Sequence, residues 1–247
     1  MSSKPHPPLA AEEIPRSPVE EEFKDFSHIV SHDLARALRH ITEFSKLLVA
    51  ECGDGLTSRQ AVYAEHIRTA GARCQAMSEQ LLVFSRVQQK PLELEPRPAS
   101  DVVQTVLARL APEIHAAGAE VRVEPLGVVY ADQKLLGLVL RHLLDNAIKF
   151  RRRDRSPRIR IHALRGGRSW RLRIADDGVG VEPPLRELAF QMFRRLHRDE
   201  ALPGVGAGLA ISRRIARRHG GEARFVDCED GACVELSLPG RPALRAA

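Results

Sequence analysis

The stretch FKDFSHIVSHDLARALRHITEFSKLLVAE, residues 23–51, decides the expected fold. On a helical wheel at about 100° per residue, its apolar side chains fall within one stripe that is about 120° wide. The pattern predicts one long amphipathic helix with a single buried face. The stripe contains Phe23, Phe26, Val30, Leu34, Ala37, Leu38, Ile41, Phe44 and Leu48.

A second amphipathic helix is predicted over 58–89, after a glycine-containing turn at 52–55. Pro91 ends it, and Cys74 falls within its apolar stripe, so we expect Cys74 in a core. Two long helices joined by a short turn form an antiparallel hairpin. One hairpin cannot bury both stripes, whereas two hairpins can pair as a four-helix bundle, so we expect a homodimer. The second stripe consists of Tyr63, Ile67, Ala70, Cys74, Met77, Leu81 and Phe84.

The rest of the chain mixes short strands and helices. Residues 1–22 should be a flexible tail, 91–100 a linker stiffened by prolines, and 241–247 a second tail. Between them, over 101–240, an α+β domain is predicted in which helices cover one mixed sheet. Gly166 and Gly167 should turn a β-hairpin. Helices are predicted at 101–117, 132–150, 184–193 and 208–219, and strands at 121–126, 158–164, 170–176, 222–228 and 232–238.

Composition narrows the possible environments and partners. The 247 residues carry a formal net charge of +6, and ten arginines but one acid lie within 151–173. This basic run is interpreted as a solvated face or as a region that attracts polyphosphate or an acidic protein surface. The four cysteines lack zinc-ligand spacing, no apolar run approaches the ~20 residues that span a bilayer, and no signal peptide is recognisable. We therefore expect a cytoplasmic protein without a membrane partner.

The first candidate site residue is His32, which is followed directly by Asp33. On the helical wheel His32 faces away from the apolar stripe and so towards solvent. A neighbouring carboxylate can hold one imidazole nitrogen protonated and make the other a better nucleophile. The alternative is an ordinary surface histidine, because His28 and His40 also lie off the stripe.

Three further segments carry candidate ligand-binding residues. Asn146 and Lys149 lie three apart on a predicted helix, where an amide oxygen suits Mg²⁺ and an amine suits phosphate. Asp176 ends a predicted strand and can accept a hydrogen bond from an exocyclic amine such as that of adenine. Taken alone, each segment could equally be a helix cap, an ordinary turn or a pair of surface side chains. The glycine positions are Gly178 and Gly180 after Asp176, and Gly204, Gly206 and Gly208 with Leu209 at the start of the last helix, where backbone N–H groups suit phosphate.

In order and spacing these segments resemble the boxes of the histidine kinase family, and the resemblance extends from Phe23 to Leu238. SHDLARALRHI is similar to the H box, RHLLDNAIKF to the N box and IADDGVGV to the first glycine box. FQMFRRLH is similar to the F box and GVGAGLAISRRIARRHGG to the second glycine box. The H and F boxes are closest to the phytochrome-like subgroup.

The resemblance implies a dimerisation and phosphotransfer domain at 23–90 and a catalytic ATP-binding domain of the GHKL type, an α/β sandwich, at 101–240. It implies that His32 accepts phosphate, with Asp33 activating its imidazole. Asn146 would hold Mg²⁺, Lys149 would contact phosphate and Asp176 would recognise adenine. The remaining implied nucleotide-site residues are Gly178 and Gly180 in the pocket wall, and Gly204, Gly206, Gly208 and Leu209 at the phosphates and at a lid over 194–205.

Three positions depart from the family pattern. Ala37 stands where the family has a helix-bending proline, which implies a straighter helix. Arg36 stands where dephosphorylating members have Thr or Asn, which puts phosphatase activity in doubt. His142 stands where the N box often has a second asparagine. This implies either weaker metal binding or a tolerated replacement.

The resulting hypothesis is an ATP- and Mg²⁺-dependent autokinase of a two-component system, with a separate response regulator as its partner. The signal would come from an upstream sensor protein or from a sensor domain lost from this chain. The leading alternative is a non-catalytic dimeric scaffold that binds nucleotide or a receiver domain. An ATPase of the related chaperone and topoisomerase superfamily and a nucleic-acid binder are more distant alternatives.

Overall fold

The structure is a computed structural model that describes residues 36–52, 55–89, 91–164, 169–196 and 204–240. Predictions for His32 and Asp33, for both tails, for the Gly166-Gly167 turn and for most of the lid lie outside the described residues. Among the helices within these ranges, none is long and apolar enough to cross a membrane.

Two long helices lie antiparallel at the start of the described chain. The first, α1, is described over 36–52, and the earlier part of the predicted helix, 23–35, lies outside the described residues. The second, α2, covers Ser58–Gln89, as the sequence predicts. Thr42 of α1 lies against Gly71, while Ser45, further along α1, donates a 3.4 Å hydrogen bond to the carbonyl of the earlier residue Ala64. The paired positions thus run in opposite directions along the two helices.

Where α1 and α2 meet, the hairpin holds small side chains, and many of its large apolar ones point outwards. The buried residues of the two helices are Thr42 and Ser45 on α1 and Ala64, Gly71, Ser78 and Val87 on α2, of which Val87 belongs to the core of the following domain. The prediction that Cys74 lies in a core is wrong for the single chain, because its side chain is exposed. The helices meet along a narrow seam of small residues, so a part of each predicted stripe is left uncovered, while Met77, Leu81 and Phe84 further along α2 are half-buried. The exposed stripe residues are Ile41, Phe44, Leu48, Tyr63 and Ile67.

A short strand follows the hairpin where we expected a linker. Strand β1, Leu94–Pro98, pairs antiparallel with β3, Val128–Asp132. The linker prediction for 91–100 is therefore wrong over this strand. Proline lacks an N–H but is tolerated in a strand at a sheet edge, and β1 belongs to a sheet of only two strands.

The predicted helix over 101–117 is two helices. Helix α3 covers Ala99–Arg109 and α4 covers Ala111–Ala117. Leu110 interrupts the helical run, and Pro112, which cannot donate an intrahelical hydrogen bond, lies in the first turn of α4. Gly118 then ends α4 in the left-handed conformation at φ 60°.

Five strands form the main sheet, in the order β2-β4-β5-β7-β6. Strands β2 and β4 are parallel and the other pairs are antiparallel, so the sheet is mixed, as predicted. Helices α5 (Gln133–Lys149) and α6 (Gly208–Arg218) contribute the largest share of the buried helical side chains against it. The strands are β2 Glu120–Val123, β4 Arg158–Leu164, β5 Ser169–Asp176, β6 Glu222–Val226 and β7 Ala232–Pro239.

The helix predicted at 184–193 does not form. Two 3₁₀ turns, Pro183–Leu185 and Leu188–Phe190, occupy the segment, and Phe193 has a positive φ of 63°. The side chain of Phe190 is buried edge-on against Phe225, with ring centroids 5.5 Å apart. A tertiary contact, rather than helical periodicity, thus fixes this segment.

Candidate functional site

A cavity of about 480 Å³ lies between α5, the end of β5, the start of α6 and one side of α2. Of the eleven predicted site residues, eight line it, while His32 and Asp33 lie outside the described residues and Gly178 lies just behind the wall. A volume of this size suits a small organic ligand. The eight are Asn146, Lys149, Asp176, Gly180, Gly204, Gly206, Gly208 and Leu209.

Helix α5 presents the polar side of the cavity. Asp132 caps its first turn by accepting hydrogen bonds from the N–H groups of Lys134 and Leu135, at 3.0 and 3.1 Å. The apolar side chains of α5 are buried in the core. Another side of the helix faces the cavity. It carries His142, Asn146 and Lys149, which are spaced four and three residues apart.

Lys149 places a cation in the cavity. Burial is the main cause that lowers the pKa of its amine; Asp145 nearby acts in the other direction. A Cβ added to Gly204 would lie 2.8 Å from the Lys149 amine, so the backbone of the second glycine box passes close to this charge. The cation and the backbone together make a position suited to phosphate.

Asp176, the last residue of β5, places a carboxyl group in the lining of the cavity. Burial is the main cause that raises its pKa, to about 6, while hydrogen bonds from the backbone of Gly178 and Ala232 act against this shift. The Gly178 N–H donates to Asp176 Oδ1 at 2.9 Å. The half-buried carboxylate can therefore accept a hydrogen bond from a ligand that donates one.

The glycines of the first box are required by close backbone packing. A Cβ on Gly178 would lie 2.5 Å from the Phe150 carbonyl oxygen. Gly180 has a φ of 72°, and a Cβ there would lie 2.7 Å from the Gly231 carbonyl oxygen. Gly178 thus shapes the turn after β5 that holds Asp176, whereas Gly180 also lines the cavity.

Helix α6 contacts the F-box segment through one arginine side chain. The Arg213 guanidinium lies 3.6 Å above the Phe190 ring and pairs with Glu187 through two hydrogen bonds, at 2.8 and 3.1 Å. The Arg213 side chain is 12% exposed and packs on the buried Phe190 ring, whereas the Glu187 side chain is 77% exposed, so water screens the ion pair and the ring contact is the better shielded of the two. These contacts join the segment before the predicted lid to the helix after it.

Several lining residues were not predicted. Arg194 and Arg195 line the cavity next to the phosphate-side glycines, and Ala76, Gln80 and Val83 line it from α2. The two adjacent arginines of the F box could have been predicted as phosphate ligands, since cations near a glycine loop suit phosphate. The α2 residues gave no such signal, because their contact arises from the packing of distant segments.

His142 was singled out only as a departure from the N-box pattern. Its imidazole lines the cavity, and burial, with Arg141 nearby, lowers its pKa to about 4. Its Nδ1 is buried and has no hydrogen-bond partner among the described residues. A neutral imidazole with a buried unbonded nitrogen therefore lies next to Asn146.

The donor set fits a purine nucleotide with a divalent cation. A carboxylate suits an exocyclic amine, Lys149 and the arginines suit phosphate, and the Asn146 amide oxygen suits a hard cation. The unbonded His142 Nδ1 and the Gly204 backbone close to the Lys149 amine agree with this fit. Among the described residues, no cluster of three or more His, Cys, Asp and Glu side chains could hold a metal ion alone.

Comparison with known proteins gives the same assignment. Residues 131–242 match the family of histidine kinase-, DNA gyrase B- and HSP90-like ATPases. The phytochrome-like protein Cph1 of Synechocystis is 31% identical over 219 residues, which are 88% of this chain and 29% of that protein. The chain thus spans less than a third of the length of this curated relative.

Two solved structures share the fold. Full-length ShkA, in complex with AMPPNP, has a TM-score of 0.62 at 25% identity. The match covers 91% of this chain and 48% of the ShkA chain. The mycobacterial sensor histidine kinase MprB has a TM-score of 0.50 at 30% identity, over 60% of this chain and 99% of that one. The matched family, the shared fold and the geometry of the cavity agree, and the chain belongs to the sensor histidine kinases, with a nucleotide-binding domain of the GHKL type.

Proposed function

We propose that this chain is an ATP-dependent histidine autokinase that phosphorylates His32 and passes the phosphoryl group to a separate response regulator. The observation that carries the proposal is the single cavity that brings together Asn146, Lys149 and Asp176 with the glycines of two separate boxes. These residues are up to 62 positions apart in sequence, and their common position around one cavity supports the proposed roles.

Within the cavity we assign one role to each polar group. Asp176 accepts a hydrogen bond from the adenine amine, and Lys149 with the backbone at Gly204, Gly206 and Gly208 neutralises the phosphates. Asn146 holds Mg²⁺. The cation supplies positive charge that offsets the charge on the phosphate oxygens.

The transfer itself needs little covalent chemistry from the protein. A His32 imidazole nitrogen attacks the γ-phosphorus in line, the bond from that phosphorus to the β–γ bridging oxygen breaks, and ADP leaves. Asp33 takes or shares the proton of the other imidazole nitrogen, which raises the basicity of the attacking one. Transfer to the receiver then moves the same phosphoryl group to an aspartate carboxylate.

We further propose that a second copy covers the exposed stripes of the hairpin. Phe44 is 69% exposed and Leu48 57% exposed on α1, and Tyr63 is 50% exposed on α2. Apolar surface of this extent along two helices is typical of a four-helix bundle formed by two hairpins. The dimerisation domain then covers 23–90 and the catalytic domain 101–240, in a cytoplasmic protein that receives its signal from a sensor protein or domain.

The test is labelling with ATP that carries ³²P at the γ-phosphate, in the presence of Mg²⁺. The full chain should acquire label that is stable in base and lost in acid. His32→Gln should abolish the label, whereas His40→Gln, a change at an exposed histidine of the same predicted helix, should retain it. Label that persists in His32→Gln, or no label while nucleotide binds, would contradict the proposal.

A second candidate is a scaffold that binds nucleotide or a receiver without transfer. Two exposed residues favour it, since Arg36 and Ala37 replace residues that serve switching and dephosphorylation in the resembled family. The same labelling separates the candidates. A scaffold would bind a receiver with equal affinity in wild type and in His32→Gln, and neither would be labelled.

A further inference from the structure

His142 and Asn146 face the same cavity from successive turns of α5. Side chains four residues apart on a helix are neighbours, about 5–6 Å apart at Cβ. Two histidines with this spacing bind one zinc ion in helical metalloprotease motifs, so the spacing allows two side chains to share a cation. His142 and Asn146 thus form a two-ligand platform if each directs a donor atom into the cavity.

The His142 ring is held between α5 and the start of α6. A Cβ added to Gly208, the first residue of α6, would lie 3.3 Å from His142 Cγ. The ring therefore lies directly beside the glycines of the second box, one helical turn before Asn146.

One nitrogen of this ring has no partner in the described structure. His142 Nδ1 is buried from solvent and makes no hydrogen bond. Buried polar atoms without a partner are rare, and each one points to strain or to a ligand that binds there. A half-turn of the ring about its last torsion exchanges the positions of Nδ1 and Cδ2, so this nitrogen has two positions from which it can meet a ligand.

An unbonded histidine nitrogen does not by itself identify a site, and the chain contains a second example for comparison. His162 Nδ1, on β4, is also buried without a partner. However, His162 does not line the cavity, and the charged groups that influence its pKa are Arg160, Glu124 and Arg173, none of which lines the cavity either. Among the described histidines, His142 alone has a buried unbonded nitrogen, lines the cavity and lies one helical turn from a proposed oxygen ligand.

We propose that His142 supplies a nitrogen ligand, beside the Asn146 amide oxygen, to the divalent cation that enters with the nucleotide. The proposal rests on the cation role given to Asn146 above. Imidazole nitrogen favours later first-row metals over Mg²⁺ more strongly than an amide oxygen does. We therefore infer that this chain selects Mn²⁺ and especially Co²⁺ over Mg²⁺ as the cation that accompanies nucleotide.

The direct test is pulsed electron paramagnetic resonance of the full chain with Mn²⁺ and the β,γ-methylene analogue of ATP. This analogue brings no bridging nitrogen next to the cation. Wild type should show the modulation that a directly bound ¹⁴N imposes on the Mn²⁺ spin echo. His142→Asn should lose it, and His162→Asn should retain it. Bound Mn²⁺ without this modulation in wild type would overturn the proposal.

An affinity measurement tests selectivity without catalysis. The ratio of dissociation constants for the same analogue with Mg²⁺ and with Co²⁺ should be about tenfold larger in wild type than in His142→Asn, which corresponds to ~1.4 kcal/mol. His162→Asn should match wild type. Equal ratios in all three proteins would overturn the inference.

Asn146→Ala distinguishes this inference from the proposed function. If Asn146→Ala abolishes metal-dependent binding and wild type shows no ¹⁴N modulation, the metal role of Asn146 stands and only the role of His142 is rejected. If Asn146→Ala leaves metal-dependent binding unchanged, the cation lies elsewhere and both assignments fail.

Discussion

In the nucleotide-binding domain the large aliphatic side chains of Leu136, Leu144 and Ile211 are at most 2% exposed, whereas in the hairpin Phe44 is 69% exposed. The first region closes its own core between helices and a sheet. The second closes only a narrow seam of small residues between α1 and α2 and leaves the large apolar side chains of α1 and of the first part of α2 at the surface. Both regions contain amphipathic helices, so amphipathicity alone does not say which surface buries the apolar face.

The two regions are therefore stabilised in different ways. The nucleotide-binding domain buries enough apolar area to fold within one chain. The hairpin has a seam in which Thr42, Ser45 and Ser78 are polar, so its stability should depend on the partner that covers its stripes. The free energy of unfolding of the hairpin should therefore increase with protein concentration, and that of the other domain should not.

The largest effect is expected at the exposed stripe. Phe44→Asp removes an aromatic ring and introduces a charge on both copies of a twofold interface, so each loss counts twice. We expect a loss on the order of 5 kcal/mol per dimer, which raises the dissociation constant more than a thousandfold. Sedimentation equilibrium should show the monomer mass at micromolar concentration.

Val128→Asp is the matched control for this prediction. Val128 is 63% exposed, but it lies on β3 of the nucleotide-binding domain. The variant should sediment as wild type does. A dimer that survives Phe44→Asp, or one that Val128→Asp dissociates, would place the interface elsewhere.

The next effect concerns backbone packing around the nucleotide site. Gly231 has a φ of 67°, and a Cβ there would overlap the Asp176 carbonyl oxygen and the adjacent backbone. Gly231→Ala should lower the free energy of unfolding of this domain by about 3–5 kcal/mol. Chemical denaturation followed by the fluorescence of Trp170, the chain's one tryptophan, would measure it.

Gly127→Ala isolates the conformational part of that effect. Gly127 has a φ of 70°, close to that of Gly231, but a Cβ there meets nothing within 4 Å. Only the left-handed backbone penalty remains, and we expect a loss of about 1–2 kcal/mol. Equal losses in the two variants would show that close packing around Asp176 contributes nothing.

The third effect separates stability from binding at Asp176. Burial raises its pKa to about 6, against 3.8 for the exposed group. The folded state therefore binds its proton more tightly than the unfolded state, and stability is lost as the pH rises through this interval. Asp176→Asn should remove that loss and raise the free energy of unfolding at pH 7.5 by at most about 3 kcal/mol.

The same substitution should weaken nucleotide binding, because the amide replaces the carboxylate that accepts the adenine amine. Wild-type affinity should decline as the pH falls through about 6, and the Asp176→Asn variant should show no such step. Asp177→Asn is the control, because Asp177 does not line the cavity and an amide oxygen there can still accept the 2.8 Å hydrogen bond from the Arg158 N–H. This variant should keep the wild-type pH step in affinity. A wild-type stability that is flat between pH 4 and 7 would contradict the assignment.

Regular periodicity made much of the fold predictable. The bounds of α2 and β4 match the prediction because long apolar patterns and clear breakers define them. Strand β1 was missed because Pro96 and Pro98 argue against a strand, and only pairing with β3 stabilises it. The helix at 184–193 was wrong because burial of Phe190 overrides the local helical pattern.

The residues of the candidate site were likewise predictable only in part. Motif spacing identified Asn146, Lys149 and Asp176, which line one cavity. Gln80 and Val83 of α2 could not be found, since they reach the cavity only through packing between α2 and α6, where the Arg214 guanidinium lies 4.1 Å from the Phe84 ring. A helical wheel likewise gives a stripe but does not say whether the same chain or another copy covers it.

The smallest effect tests the seam of the hairpin itself. Gly71 lies within α2, where alanine favours the helix by about 1 kcal/mol. A Cβ there would lie 2.5 Å from Thr42 Oγ1, which donates a 2.8 Å hydrogen bond to the Leu38 carbonyl. Gly71→Ala alone should therefore change the hairpin's free energy of unfolding little, because helix propensity and the contact oppose each other. In a Thr42→Ala background, which removes that oxygen, the same substitution should stabilise by about 1 kcal/mol. Equal effects in both backgrounds would mean that the seam is loose enough to absorb a methyl group, and the small residues would then not set how closely the two helices approach.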